Sequence, residues 1–157
     1  MSARAASRLA TLGFTNVYRY QAGRADWFAA GLPREGRDAH VPRVADVAKR
    51  DVHTCRLDAR VGDVRDRVGR NCGEPLVVVD ADRVVLGLVN SDALAGDPAT
   101  PVEEVMDSAP VTFRPNVRAG EMPDYLKKQG VQRAIVTTSD GVLVGLLHLM
   151  QPAHSTA

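Results

Sequence analysis

Val84-Val-Leu-Gly-Leu-Val89 and Val142-Leu-Val-Gly-Leu-Leu147 are one strand written twice, 58 positions apart (84 to 142). Extending the same offset without a gap lays residues 44–92 on 102–150. Twelve of the 49 positions are then identical, from Val44/Val102 and Val47/Val105 through Thr54/Thr112, Arg56/Arg114, Arg60/Arg118, Gly62/Gly120 and Asp66/Asp124 to Val78/Val136, Asp82/Asp140, Val84/Val142, Gly87/Gly145 and Leu88/Leu146. Unrelated segments of average composition would agree at roughly one position in fifteen. The chain therefore contains an internal duplication, and the fold must be built from two copies of one unit.

Each copy carries the same grammar. A short amphipathic stretch opens it, Val44–Val47 or Val102–Val105. An extended piece follows, over 52–56 or 111–114. Apolar residues then recur at helical spacing, Val61, Val64 and Val68 in one copy and Ala119, Met122 and Leu126 in the other. This predicts helices over about 61–70 and 119–129. Pro123 is tolerable because it lies in the first turn. Next come two β-branched runs around a turn: Leu76–Val79 and Val84–Val89 around Asp80-Ala-Asp-Arg83, then Ala134–Thr138 and Val142–Leu147 around Ser139-Asp-Gly141. Their continuous apolar character predicts sheets with little exposure to water. A short helix follows Asn90. The fold class is α/β (α+β), each repeat β-α-β-β-α.

This grammar resembles the CBS domain family. The resemblance rests on Glu74-Pro-Leu-Val-Val-Val-Asp80 with Val84-Val-Leu-Gly-Leu-Val-Asn-Ser-Asp92, and on Val105-Met106 with Val142–Leu147 in the second copy. It covers about residues 44–150. It implies a tandem pair packed with pseudo-two-fold symmetry, a regulatory rather than catalytic role, and a homodimer. It also implies clefts that take adenosine compounds such as AMP, ADP, ATP or S-adenosylmethionine. Carried over by position, the first cleft would use Thr54, Pro75, Leu76, Asn90 and Asp92, with Asp92 gripping ribose. The second would use Thr112, Arg133 and His148. The sequence departs from the family pattern at Asn90, where Thr or Ser is usual, and at Asp92, which falls one residue early. The second copy has His148, Leu149 and Met150 where the polar group and acid belong. At most one competent nucleotide site is expected. Asn90 and Asp92 equally suit the cap of the short helix, and Thr54 and Thr112 equally suit plain strand positions.

Residues 1–36 lie outside the repeat. Ala3–Leu12 reads as a helix, Asn16–Tyr20 as a strand and Arg24–Ala30 as a second helix ending at Gly31. Arg8–Tyr18 and Gly23–Pro33 resemble the C-terminal end of a rhodanese domain. The cysteine loop of that family would lie upstream of Met1, and Cys55 and Cys72 fall in the repeats, so no persulfide transfer is expected. Phe14, Val17, Tyr18, Trp27 and Phe28 form an aromatic-rich cluster expected to bury itself against the repeats or a second subunit. Residues 37–43 read as a polar linker, 44–97 and 102–150 as the repeats, and 151–157 as a tail.

Bulk properties set the outer limits. At 157 residues, 45% hydrophobic and 25% charged, the chain is an ordinary globular protein able to form its own core. A net charge of +1 gives no broad basic footprint for nucleic acid or anionic membrane. The two cysteines make no CxxC, and the four histidines have no metal-like spacing. No metal site and no catalytic residues are expected. The apolar runs are too short to span a bilayer, and a cytoplasmic location is expected.

Overall fold

The computed structural model describes residues 3–69 and 74–148. Cys72, Leu149, Met150 and the 151–157 tail lie outside the described residues.

The two copies build two three-stranded sheets of identical topology. In the first, β1 (Thr54–Cys55) runs parallel to β2 (Leu76–Val79), which pairs antiparallel with β3 (Val85–Val89). In the second, β4 (Thr112–Phe113), β5 (Arg133–Thr137) and β6 (Leu143–His148) repeat this order. Between the parallel strands runs the crossover helix, α4 (Val61–Val68) in one copy. In the other a 3-10 turn (Ala119–Glu121) leads into α6 (Met122–Gln129). Glycines stop both helices: Gly69 and Gly130 have φ of 79° and 67°, where a Cβ would be strained. A 3-10 turn, Ser91–Ala95, follows β3.

Strand alternation sorts each sheet into two faces. Val77, Val79 and Leu88 meet Ile135, Leu143 and Leu146 in a dry layer between the sheets. The opposite faces pack on the helices, giving one core around Val61, Val64, Leu76 and Val78 and another around Met122, Leu126, Ala134 and Val136. β2 and most of β5 are buried on both sides, as the continuous apolar runs predict.

The opening helices are exchanged. α3 (Val44–Val47) places Val44 in the core of the second repeat, and α5 (Val102–Val105) places Val102 in the core of the first. Both valines are 0% exposed. The backbone follows the same exchange. Val44 N donates to Val117 O, as Val102 N donates to Ala59 O. Lys49 exchanges two hydrogen bonds with Leu146, and Asp107 does the same with Leu88. Every partner maps onto its mate by the offset of the repeat. The axis relating them passes beside Val84 and Val142, which bridge each other.

The exchange explains the duplicated Gly87 and Gly145. A Cβ on Gly87 would stand 2.6 Å from Met106 Sδ and 2.8 Å from Asp107 O. One on Gly145 would stand 2.7 Å from Lys49 O and 3.0 Å from Ala48 Cβ. Each glycine lets the other repeat's lead-in segment cross its sheet.

The first forty residues depart from expectation in two ways. α1 (Ala3–Thr11) and α2 (Gly23–Ala29) form where they were expected, but Asn16–Tyr20 is not a strand. An extended segment needs a ladder partner for its N–H and C=O groups, and no described strand lies beside it. The aromatic cluster is not buried either. Phe14 and Tyr18 are 60% and 83% exposed, and no described residue before Val44 is buried. Within the cluster Trp27 is held locally: Tyr20 packs edge-on against it at 5.1 Å and donates its hydroxyl to Asp26, while Trp27 Nε1 donates to Pro33 O at 3.0 Å. The linker is stitched down at its far end, where Ala119 N donates to Pro42 O and Arg43 bridges Arg118. Those contacts are the mates of Val61 N to Thr100 O and of Arg60 with Pro101.

Candidate functional site

Four of the residues singled out in the sequence end on one edge of the inter-sheet face. Asn90 follows β3 and His148 closes β6. Pro75 precedes β2 and Arg133 opens β5. Asn90 and His148 are mates under the repeat offset, as are Pro75 and Arg133. Arg133 and His148 are also direct cross-strand partners, which puts them on one face.

The sequence assigned Asn90 to one cleft and Arg133 to the other. The structure groups them together. A cavity of about 350 Å³ is lined by both, with Leu88, Asp107 and an apolar wall of Pro110, Val111 and Val131. The cleft is shared between repeats because the lead-in of the second repeat, 107–111, runs along the end of the first sheet. Asp107 was not foreseen. Its Oδ1 accepts the Ala109 N–H at 2.9 Å, which shapes the turn entering this segment.

The remaining candidates stand elsewhere. Asp92 is exposed in the 3-10 turn and does not line the cavity. Asn90 occupies the N-cap position, but its side chain makes no capping hydrogen bond, so the expected capping role is not what holds it. Thr54 pairs with Val77 and Thr112 with Ile135 on the outer strands of the two sheets. Leu76 is fully buried in the first core. Cys55 is buried in the same core, and burial pushes its thiol up, away from the reactive thiolate. Among the described residues no group of three or more His, Cys, Asp or Glu side chains is placed to hold a metal. No described helix is long and apolar enough to cross a membrane.

The symmetry-related position has different chemistry. Where the open cleft has Asp107 and Gln132, its mate has Lys49 and Glu74, and these form an ion pair at 2.6 Å. The Lys49 ammonium lowers the Glu74 carboxyl below the ordinary range. His148 stands beside the pair with its Nε2 buried and unpartnered. Burial, then the Arg133 charge, holds its imidazole below the usual histidine range, with Lys49 adding to that effect and Glu74 opposing it. An acid and an amide cannot make the bridge that a lysine and a glutamate make. The duplicated frame thus sets an ion pair on one side against an acid and an amide that line a cavity on the other.

Comparison with known proteins agrees with the frame. Residues 102–150 match the family model for the CBS domain. A search of curated proteins gives no match. Among solved structures, the chain is similar to a putative acetoin utilization protein from Vibrio cholerae, at 24% identity and a TM-score of 0.62 over 69% of this chain and 84% of that one. A CBS domain pair in complex with 5-methylthioadenosine and S-adenosyl-L-methionine superposes with a TM-score of 0.61 at 15% identity, over 69% and 90% of the two chains. CBSX2 in complex with AMP does so with a TM-score of 0.59 at 19% identity, over 68% and 89%. None of these matches supports the rhodanese resemblance of residues 1–36. The chain has the fold of a tandem pair of CBS domains, and its second repeat is the one that the family's model matches.

Proposed function

We propose that this protein is a non-catalytic, cytoplasmic sensor that takes one adenosine-type ligand in the cleft between β3 and the start of β5. The carrying observation is that cleft itself, where the Arg133 guanidinium, the Asn90 and Gln132 amides and the Asp107 carboxylate line one cavity with an apolar wall. Convergent polar groups set beside an apolar wall are what orient a small molecule in its site. Arg133 supplies the charge for a phosphate or carboxylate, Asp107 and Asn90 the hydrogen bonds for ribose hydroxyls, and Leu88, Pro110 and Val111 the surface for a purine. Two structural neighbours with adenosine compounds bound support this ligand class.

A ligand here would tie the 107–111 lead-in of one repeat to the strand ends of both sheets. It would shift the protein between states only through its different affinity for each. A homodimer or a separate protein partner would carry the response.

A second reading is an interaction module whose clefts stay empty. The ion pair across the symmetry-related side and the exposure of Asp92 favour it. A thermal-shift panel of AMP, ADP, ATP and S-adenosylmethionine separates the two. A ligand at 100 times its dissociation constant stabilises by about 2.7 kcal/mol, a shift of several degrees. A shift that Arg133→Gln removes supports the sensor. No shift with any of the four supports the interaction module.

A further inference from the structure

The N-terminal segment leaves its large apolar side chains in water. Six large hydrophobic side chains are exposed among the described residues, and four of them, Leu12, Phe14, Tyr18 and Tyr20, fall between positions 12 and 20. Exposed apolar residues gathered in one short segment mark an interaction surface. The same segment is basic. Residues 1–25 carry Arg4, Arg8, Arg19 and Arg24 and no acid, a net +4 in a chain whose total is +1, so the remaining residues sum to −3. All four arginines are exposed, and none is in an ion pair among the described residues.

The excess of acid gathers on the first repeat. Residues 80–107 hold seven carboxylates and one base, Arg83. None of the seven is in an ion pair among the described residues. A groove of about 330 Å³ is lined by apolar Leu57, Val79 and Leu86 and by the carboxylates of Asp58, Asp80 and Glu103, against the single guanidinium of Arg56. Asp80 Oδ1 accepts the Asp82 and Val84 N–H groups, each at 2.9 Å, which fixes that carboxylate. The second repeat lacks these acids, because their mates are Asn116, Thr138 and Ala45. No described residue before Arg56 lines the groove. In its own chain the N-terminal segment is held at α3 instead, by Arg34 and Arg43, whose guanidinium carbons lie 5.2 and 5.6 Å from the Phe28 centroid, and by Arg50 Nη2, which donates to Ala29 O at 3.1 Å.

We propose that this groove takes the N-terminal segment of a second copy of the chain, with Arg19 set among Asp58, Asp80 and Glu103. Tyr18, the most exposed of the four side chains at 83%, then covers Leu57, Val79 and Leu86. A guanidinium among carboxylates on a partly apolar surface is the pairing for which arginine suits interfaces. Each copy offers one segment and one groove, so a two-fold exchange makes the contact twice and closes at a dimer. The opposite charges also steer the encounter, an effect that salt screens. None of these residues lines the cleft at Arg133, so the exchange stands whether or not that cleft takes a ligand.

Sedimentation of the full chain over a range of concentrations tests this. A dimer is expected, with a dissociation constant at least tenfold higher at about 0.5 M salt than at about 0.05 M. Arg19→Glu sets an acid against the groove, and Glu103→Arg sets a guanidinium against the segment. Both positions are exposed, and each substitution alone is expected to weaken dimerisation at least tenfold. Mixed in equal amounts, the two variants are expected to pair more tightly than either does alone, because both contacts of the mixed dimer again join an acid to an arginine. Three results overturn the proposal: a parent chain that stays monomeric, a dimer that neither substitution weakens, or a mixture that pairs no more tightly than the separate variants.

Discussion

His148 is the residue on which the two sides of the molecule diverge. Its mate Asn90 is neutral and lines the open cleft, whereas His148 sits between Arg133, Lys49 and Glu74 with a buried ring nitrogen. Its folded-state pKa is lowered, so the native protein holds it neutral. An unfolded chain protonates near pH 6.5. Stability from this group is therefore present above that pH and is lost as pH falls toward the folded pKa. Glu74, itself lowered by Lys49, stays ionised through the same window. Melting temperature is expected to fall between about pH 7.5 and about pH 5.5, and His148→Gln should flatten that slope. An unchanged slope in the variant would show that other groups carry it. Asp107 teaches a related lesson. It was legible only through its mate: aligning the copies sets Lys49 and Glu74 against Asp107 and Gln132, an ion pair against a pair that cannot form one. A search confined to residues near the strand motif finds Asp92 instead, which the fold leaves exposed.

Among the elements, strands and crossover helices were legible because their signals are local. Apolar runs, a glycine stop and a turn sequence each act within a few residues. The exchange of α3 and α5 was not legible, since hydrophobic periodicity tells which face is buried but not against which copy. The repeated glycine was the one trace of it. Gly87 and Gly145 are identical because each passes under the other repeat's lead-in. Gly87→Ala and Gly145→Ala are each expected to cost about 1–3 kcal/mol, the usual range for overpacking. Chemical denaturation with an unchanged m-value measures this. Gly62 and Gly120 offer an internal comparison. Gly62 closely approaches Pro98 whereas Gly120 has open space, so Gly120→Ala should be far milder than Gly62→Ala. The strand expected at Asn16–Tyr20 fails to form for the opposite reason. Its sequence favours extension, but a strand is made by its neighbour.

At the scale of the whole molecule, the exchange makes the repeats one cooperative body. Val44 completes the second core and Val102 the first. Truncating either to Ala should cost about 2 kcal/mol for two buried methyl groups. It should lower a single unfolding transition rather than split it. Two resolved transitions in calorimetry would mean that the repeats fold separately and the exchanged helices contribute little. The N-terminal segment is the exception to this unity, held by arginines around Phe28 rather than by a core.

The symmetry of the frame and the asymmetry of its clefts together make the central claim, one ligand site per chain. Isothermal titration with the adenosine compound that gives the largest thermal shift tests it most directly, on the parent chain and on Arg133→Gln and Asp92→Ala. The account expects one equivalent bound per chain, at least tenfold weaker binding by Arg133→Gln, and unchanged binding by Asp92→Ala. Two equivalents per chain, or a loss of binding by Asp92→Ala with Arg133→Gln unaffected, would contradict it.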